Sequence, residues 1–425
     1  MYSLNSAKNK KGAGREMNSI AAQTKILTTS EIIALYSLVI GIVGGFLNAL
    51  PPALLGFSPT ALGWVIPVLA CFSISLSRFN ENTFPIFIWL PWVLYTTVCY
   101  LNNSAPNAFQ RHIMLHAAII IAVAFSSFQP SNYFYERLSK YIDYYFWIVF
   151  ISGIAAAGLF SGQINASSGF AAGAITASLL AVWYSGKYSI DEKSGLYYWI
   201  ALCLVPFLCN TRTGMIAVAL TMPLTFGPLS LKKRLIVLCI ILFMAALAFQ
   251  TERIQSKMFI SGHGDYSDAF NGMLDLMTGT GDSEDGVKDF STNGRKSIAL
   301  ALKDGLNKNY WTGNGSNSSE AISMDLSGVS HPHNDWLRIQ YEYGMLVIII
   351  FIGTILGQIY HASKRLKYLP RKYMPVFCIG IGSFVPMGLF MTSDNILLYI
   401  AWFGNLQFAA IGVFYGLVER LKVRA

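Results

Sequence analysis

Charge is scarce in this sequence: Asp, Glu, Lys and Arg together make up 12% of its 425 residues, against roughly 25% in a soluble domain. That scarcity excludes a cytosolic enzyme and a disordered chain, both of which need a polar surface or a polar composition. Cysteine is sparse as well. Cys71, Cys99, Cys203, Cys209, Cys239 and Cys378 contain no C-x-x-C pair, and no Cys/His cluster has zinc-ligand spacing. A disulfide scaffold and a zinc module are therefore not expected, and the thiols read as small apolar residues within apolar runs. The first thirty residues are polar and basic with no small-residue cleavage site, so a cleavable signal peptide is not read there. The formal charge of +9 could suit nucleic acid, but the basic residues sit mostly between apolar runs. No nucleic-acid partner is expected.

What the chain has instead is apolar sequence, 54% of it. Runs of about 16–20 apolar residues mark membrane-crossing helices. They fall at 32–50, 60–77, 83–101, 113–129, 144–161, 168–185, 195–209, 214–229, 234–250, 344–361, 374–391 and 396–418. The seventh and eighth are short and flank Asn210-Thr211-Arg212-Thr213-Gly214, so they also read as one broken helix. The fold expected is an all-α polytopic membrane protein of about 12 spans. Its segments are a tail over 1–31, nine spans over 32–250, a large loop over 251–343, three spans over 344–418 and a tail over 419–425.

Positive charge gives the orientation. With both termini in the cytoplasm, Arg78, Arg137, Lys140, Lys187, Lys193, Lys232, Lys233, Arg234, Lys364, Arg365, Lys367, Arg371 and Lys372 all fall inside. The short outward loops keep only Arg111 and Arg212. The 251–343 loop then lies outside, with thirteen of the twenty-two acidic residues and eight Lys or Arg. Its first half reads as irregular. Its second half has helical periodicity through Ile298, Leu300, Ala301 and Leu302 before a turn at Asn307-Lys308-Asn309.

Ionisable residues in or beside spans are candidates for function. Arg212 stands on an outward loop where positive charge is disfavoured. Its planar guanidinium suits a two-pronged grip on phosphate, and a snorkelling arginine at the headgroups is the plainer alternative. The run His331-Pro332-His333-Asn334-Asp335-Trp336-Leu337-Arg338, followed by Glu342 and Gly344, holds two of the six histidines. Imidazole suits proton transfer near neutral pH. Helical spacing from Asp335 places Asp335, Arg338 and Glu342 on one face, able to orient His333 or meet sugar hydroxyls. A metal held by His331, His333 and Asp335 is the rival, weakened by the intervening proline and the missing fourth ligand. Asn293-Gly294-Arg295-Lys296 puts an arginine at a helix start, a place suited to an anion. Asp282-Ser283-Glu284-Asp285 reads either as a solvated acidic run or as a divalent-metal cluster.

Together these residues resemble the bacterial O-antigen ligase and O-antigen polymerase superfamily over roughly 200–350. The ligases are marked by His, then Asn, Ser or Gln, nine residues, and Gly-x-x-Gly. Here His333-Asn334 is followed by nine residues, Gly344, two more and Val347, so all but the final glycine match. Arg212 in Thr-Arg-Thr-Gly and Arg295 in its Gly-Arg pair stand for the family's essential arginines, and Trp311-Thr312-Gly313-Asn314-Gly315 for a family turn. The resemblance implies an inverting, metal-independent membrane glycosyltransferase with no cofactor. It would sit in a bacterial inner membrane with the 251–343 loop in the periplasm.

By the same resemblance the donor is an undecaprenyl-diphosphate-linked oligosaccharide. The acceptor is a glycan hydroxyl in a polymerase of O-antigen or exopolysaccharide, or the lipid A-core in a ligase of lipopolysaccharide. His333 is then the base, and Arg212 and Arg295 hold the diphosphate. Asn334, Asp335, Arg338 and Glu342 support the site or bind the acceptor, and Gly344 is the motif glycine. A chain-length regulator is a conceivable partner. The missing glycine and the His-Pro-His-Asn-Asp-Trp-Leu-Arg run favour polymerase. A glycolipid flippase or other transporter would instead place charges at mid-span, where this chain has almost none.

Overall fold

The computed structural model describes residues 26–47, 60–159, 169–209, 211–252, 255, 259, 261–269, 271–272, 295–328 and 330–422. Among them the ordered elements are helical. The first group comprises α1 Thr29–Leu47, α2 Thr60–Ser77, α3 Ile86–Asn102, α4 Ala108–Ser127 and α5 Asn132–Leu159. The next four are α6 Gly169–Ser189, α7 Ser194–Leu208, α8 Arg212–Thr221 and α9 Leu231–Phe249. Three shorter helices follow, α10 Arg295–Leu306, α11 Ser319–Ser327 and α12 Asp335–Tyr343. Then come α13 Met345–Arg365, α14 Met374–Phe377, a π-turn at Cys378–Gly382, α15 Phe384–Phe390 and α16 Gly404–Lys422.

Among the described residues four stretches are long and apolar enough to cross a membrane: Thr29–Leu47, Ala108–Ser127, Met345–Tyr368 and Arg371–Phe390. The chain is a helical membrane protein. Lipid-facing surface is written in the exposure pattern of α13, where Leu346, Ile349, Ile352, Leu356 and Tyr360 are exposed while Val347, Phe351, Thr354 and Gln358 are buried. Pro67, Pro91 and Pro206 lie inside helices, which membrane bundles tolerate because neighbours re-satisfy the freed backbone groups. Close packing needs small residues. A Cβ on Gly44 would lie 2.5 Å from the Gly63 nitrogen, and one on Gly412 would lie 2.4 Å from the Ala122 carbonyl oxygen. Gly44 lets α1 meet α2, and Gly412 lets α16 meet α4.

Polar contacts sort the helix ends into two sets. At one end, Glu31 accepts from the Ser131 backbone N–H (2.7 Å), Tyr135 donates to the Lys372 carbonyl (2.8 Å), and Arg420 donates to Asn132 (2.8 Å). Asp191 meets both Lys233 (3.5 Å) and Arg371 (3.7 Å) there. At the other end, the Asn103–Ala105 segment pairs with Ser316, with Ser316 N–H to the Asn103 carbonyl at 3.0 Å and Ala105 N–H to the Ser316 carbonyl at 2.9 Å. This second set holds α10, α11 and α12. Ile298 and Leu302 of α10 bury against Leu337 and Tyr341 of α12.

The structure departs from hydropathy at the last apolar run. The span expected from 396 begins as a helix only at Gly404, and residues 391–403 form consecutive turns. They are nonetheless buried at Ile396, Leu398, Ile400 and Phe403. Irregular backbone at this depth is stable when the protein itself supplies its hydrogen bonds.

Candidate active site

The 391–403 segment meets α12, and that junction assembles the site. Asn334 caps α12, its Oδ1 accepting from the Leu337 N–H at 2.9 Å. His333, just before it, takes a left-handed backbone (φ 51°), a region uncommon outside glycine but entered more often by His. The turn lets α12 dock end-on. Asp335 N–H reaches the Asp394 carbonyl (3.2 Å), Trp336 N–H reaches the Met391 carbonyl (3.3 Å), and Trp336 Nε1 donates to Gly388 (3.0 Å).

The docked geometry places His333 Nδ1 3.4 Å from Asp394 Oδ1. An ionised carboxylate can only accept, so Nδ1 carries the hydrogen and the Nε2 lone pair is left to take a proton. Asp394 has its own anchor, the Asn395 N–H at 3.0 Å. Its neighbour Ser393 donates to Thr213 Oγ1 at 2.6 Å. Thr213 follows Arg212, which opens α8 and is half-buried. The adjacent residues Ser393 and Asp394 thus tie the first turn of α8 and His333 to one short segment, although Arg212 and His333 lie 121 positions apart in sequence.

Beneath the histidine lies a closed ion network. Asp335 and Arg338 are fully buried, and Glu342 is 1% exposed. Asp335 Oδ1 accepts from Arg338 Nε at 2.7 Å, and its Oδ2 accepts from the Leu397 N–H at 2.7 Å. Arg338 Nη1 stands 3.5 Å from Glu342, which accepts from Ser319 at 2.6 Å. Burial alone would lower the Arg338 pKa, but Asp335 and Glu342 outweigh it and hold it above the ordinary arginine value. Burial raises the Asp335 pKa, against the pull of the Arg338 guanidinium and the Leu397 N–H. Removing Arg338 would leave two buried carboxyl groups without their cation, a change that costs roughly 3–5 kcal/mol in such pairs. All three side chains lie below the surface, so their place is to hold α12 against the 391–403 segment.

Gly344 has a structural reason to be glycine. Its φ is 82° and ψ 178°, a region nearly closed to other residues. A Cβ there would lie 2.1 Å from the Trp311 carbonyl oxygen. The Trp311–Gly315 turn runs against it backbone to backbone, with Met345 N–H to Tyr310 (2.8 Å), Asn314 N–H to Tyr341 (2.8 Å) and Gly315 N–H to Glu342 (2.9 Å). Val347 is fully buried.

His331 differs from His333 in kind. Arg111 Nη1 lies 2.8 Å from His331 Nδ1, and a guanidinium only donates, so this nitrogen is the acceptor. Burial, then Arg111, Arg338 and His333, lower its pKa to about 3. It is neutral near pH 7 with its lone pair already engaged. Arg111 also pairs with Glu320 at 3.1 Å. Arg295 begins α10, but its side chain lies outside the described residues, as do Asp282, Glu284 and Asp285. Among the described residues no cluster of three or more His, Cys, Asp or Glu could hold a metal.

Residues 196–352 match the family model described as O-antigen ligase. This segment is similar to an O-antigen ligase domain. It covers over a third of the chain and takes in Arg212, Arg295 and His333, and it supports the O-antigen ligase/polymerase superfamily for the protein. No curated protein matches the chain. Asp394 and Arg111 fall outside the matched segment, and sequence reading did not name either as a site residue. Each left a signal. Arg111, like Arg212, is a positive charge at the edge of an apolar run, and Asp394 is a carboxylate between two apolar runs.

Proposed function

We propose that the protein is an inverting, metal-independent glycosyltransferase of the bacterial inner membrane. Its site faces the periplasm, its two termini the cytoplasm, and about twelve spans carry the chain. The donor is a glycan linked to undecaprenyl diphosphate. The observation that carries this reading is the His333–Asp394 pair joined through Ser393 and Thr213 to the start of α8 at Arg212.

In this reaction an acceptor hydroxyl gives its proton to His333 Nε2 as its oxygen attacks the anomeric carbon. The bond from that carbon to the diphosphate oxygen breaks, and the carrier diphosphate leaves with the electron pair. Asp394 orients the imidazole and balances the charge it gains. Arg212, on a helix N-terminus whose dipole also favours anions, takes the charge on the leaving group, with Arg295 as its second cation. The arginines supply what a divalent metal would otherwise provide.

The polymerase reading is preferred to ligase. Val347 stands at the last motif glycine of the ligases, and the His-Pro-His-Asn-Asp-Trp-Leu-Arg run resembles polymerases of exported polysaccharides. The surface glycan of a deletion strain tests this. Single repeats left on the lipid core identify a polymerase; a core with no repeat identifies a ligase. Normal surface glycan in the deletion strain refutes both.

A further inference from the structure

A concavity opens beside His331, two residues before His333. It encloses about 400 Å³, within the roughly 300–1,000 Å³ range of small-molecule sites. Its walls come from α2, α4, α11 and the irregular 391–403 segment. Trp64, Tyr399 and Trp402 give it aromatic surface, and Asn107 and Gln110 give it amide groups.

Its charges are already matched. Arg111 is held by Glu320 at 3.1 Å and by His331 at 2.8 Å, and it also donates to the Ser330 carbonyl at 3.4 and 3.3 Å. An incoming diphosphate would meet the Glu320 carboxylate beside the guanidinium, so the cavity is poorly suited to an anion. Aromatic faces offer apolar contact to the C–H face of a sugar ring, and the amides and the paired ions offer hydrogen bonds to its hydroxyls.

Position decides which sugar. His331 and Tyr399 line the cavity, and His333 lies two residues from the first. The cavity therefore adjoins the segment that carries His333, and Arg212 is not among its lining residues. With the donor diphosphate at Arg212, outside this cavity, a pocket that suits a neutral sugar beside the His333 segment belongs to the acceptor.

Resting on the glycosyltransferase reading, we propose that the cavity lined by Trp64, Gln110, Arg111, Glu320, His331 and Tyr399 is a subsite for an uncharged sugar ring of the acceptor glycan.

The test uses the full-length protein in lipid nanodiscs. The acceptor probe is the producing cell's own surface glycan, released by mild acid so that it has no lipid diphosphate and cannot act as donor. Initial rates are measured against acceptor and donor separately for the wild type, Trp64→Ala, Trp64→Phe and Gln110→Ala, each checked for a monodisperse elution profile. The expected result is an acceptor KM raised about tenfold in Trp64→Ala and several-fold in Gln110→Ala, with donor KM within twofold of wild type. Trp64→Phe, which keeps an aromatic face, should recover most of the affinity. Unchanged acceptor KM in well-folded Trp64→Ala and Gln110→Ala overturns the subsite, and so does a donor KM raised as much as the acceptor KM. An absence of transfer in the wild type under these conditions would count against the glycosyltransferase reading itself, so the two failures are distinct.

Discussion

Replacing Asp394 by Asn removes one charge and little else. The amide is isosteric, and its oxygen can still accept from His333 Nδ1 and from the Asn395 N–H that now anchors the carboxylate. What disappears is the attraction between a carboxylate and the imidazolium that forms as His333 takes the acceptor's proton. At the 3.4 Å separation, a full charge pair is worth about 5 kcal/mol at an effective dielectric of 20 and ~1.2 kcal/mol in water. The pair lies between these limits, because His333 and Asp394 side chains are 31% and 12% exposed. If half the proton charge has arrived in the transition state, the loss is roughly 0.6–2.5 kcal/mol, or about 3- to 70-fold in kcat. Asp394→Ala, which also frees the ring to rotate, should fall further. The assay is kcat at saturating donor and acceptor in nanodiscs, with protein quantified by tryptophan absorbance. A double-mutant cycle with His333→Ala decides the interpretation. Asp394→Asn should have almost no further effect once the imidazole is gone. A fall as large in the His333→Ala background as in the wild type would refute the pairing and leave Asp394 as a structural anchor of the 391–403 segment.

The other expectations are as follows. His333→Ala should lower transfer by about 10²–10⁴-fold while donor binding survives; His331→Ala should cost less than tenfold in kcat because its lone pair is engaged by Arg111, and equal losses would instead favour a shared metal or a structural pair. Arg212→Lys should lose most activity at normal membrane levels, since lysine keeps the charge but not the fork; a fully active lysine variant would make Arg212 a headgroup contact. Purified enzyme should keep transferring in excess chelator, and activity lost there and restored by magnesium or manganese would move attention to Asp282, Glu284 and Asp285. A reporter active only outside the cytoplasm should score positive when fused within 265–330 and negative after Arg371, and the reverse pattern would put His333 on the cytoplasmic side.

Local signals in this chain were legible and long-range ones were not. The i, i+3 and i, i+4 spacing of Asp335, Arg338 and Glu342 correctly put them on one face of a helix, because that relation depends only on helix geometry. The spacing did not say that the face turns inward. These side chains are buried where Ser319 of α11 and the Leu397 N–H of the 391–403 segment meet them. Gly344 and the Trp311–Gly315 turn were visible as two separate glycine signals, and only the fold shows that each is the reason for the other. The run from Ile396 failed for a different reason. Hydropathy reports burial and says nothing of how the backbone is hydrogen-bonded, so a buried series of turns reads the same as a helix. Here the Leu397 N–H is satisfied by Asp335, sixty-two residues away. That one bond links the helix behind His333 to the segment that carries Asp394. His333 and Asp394 are thus brought together by the same non-local contact that made the last span hard to read.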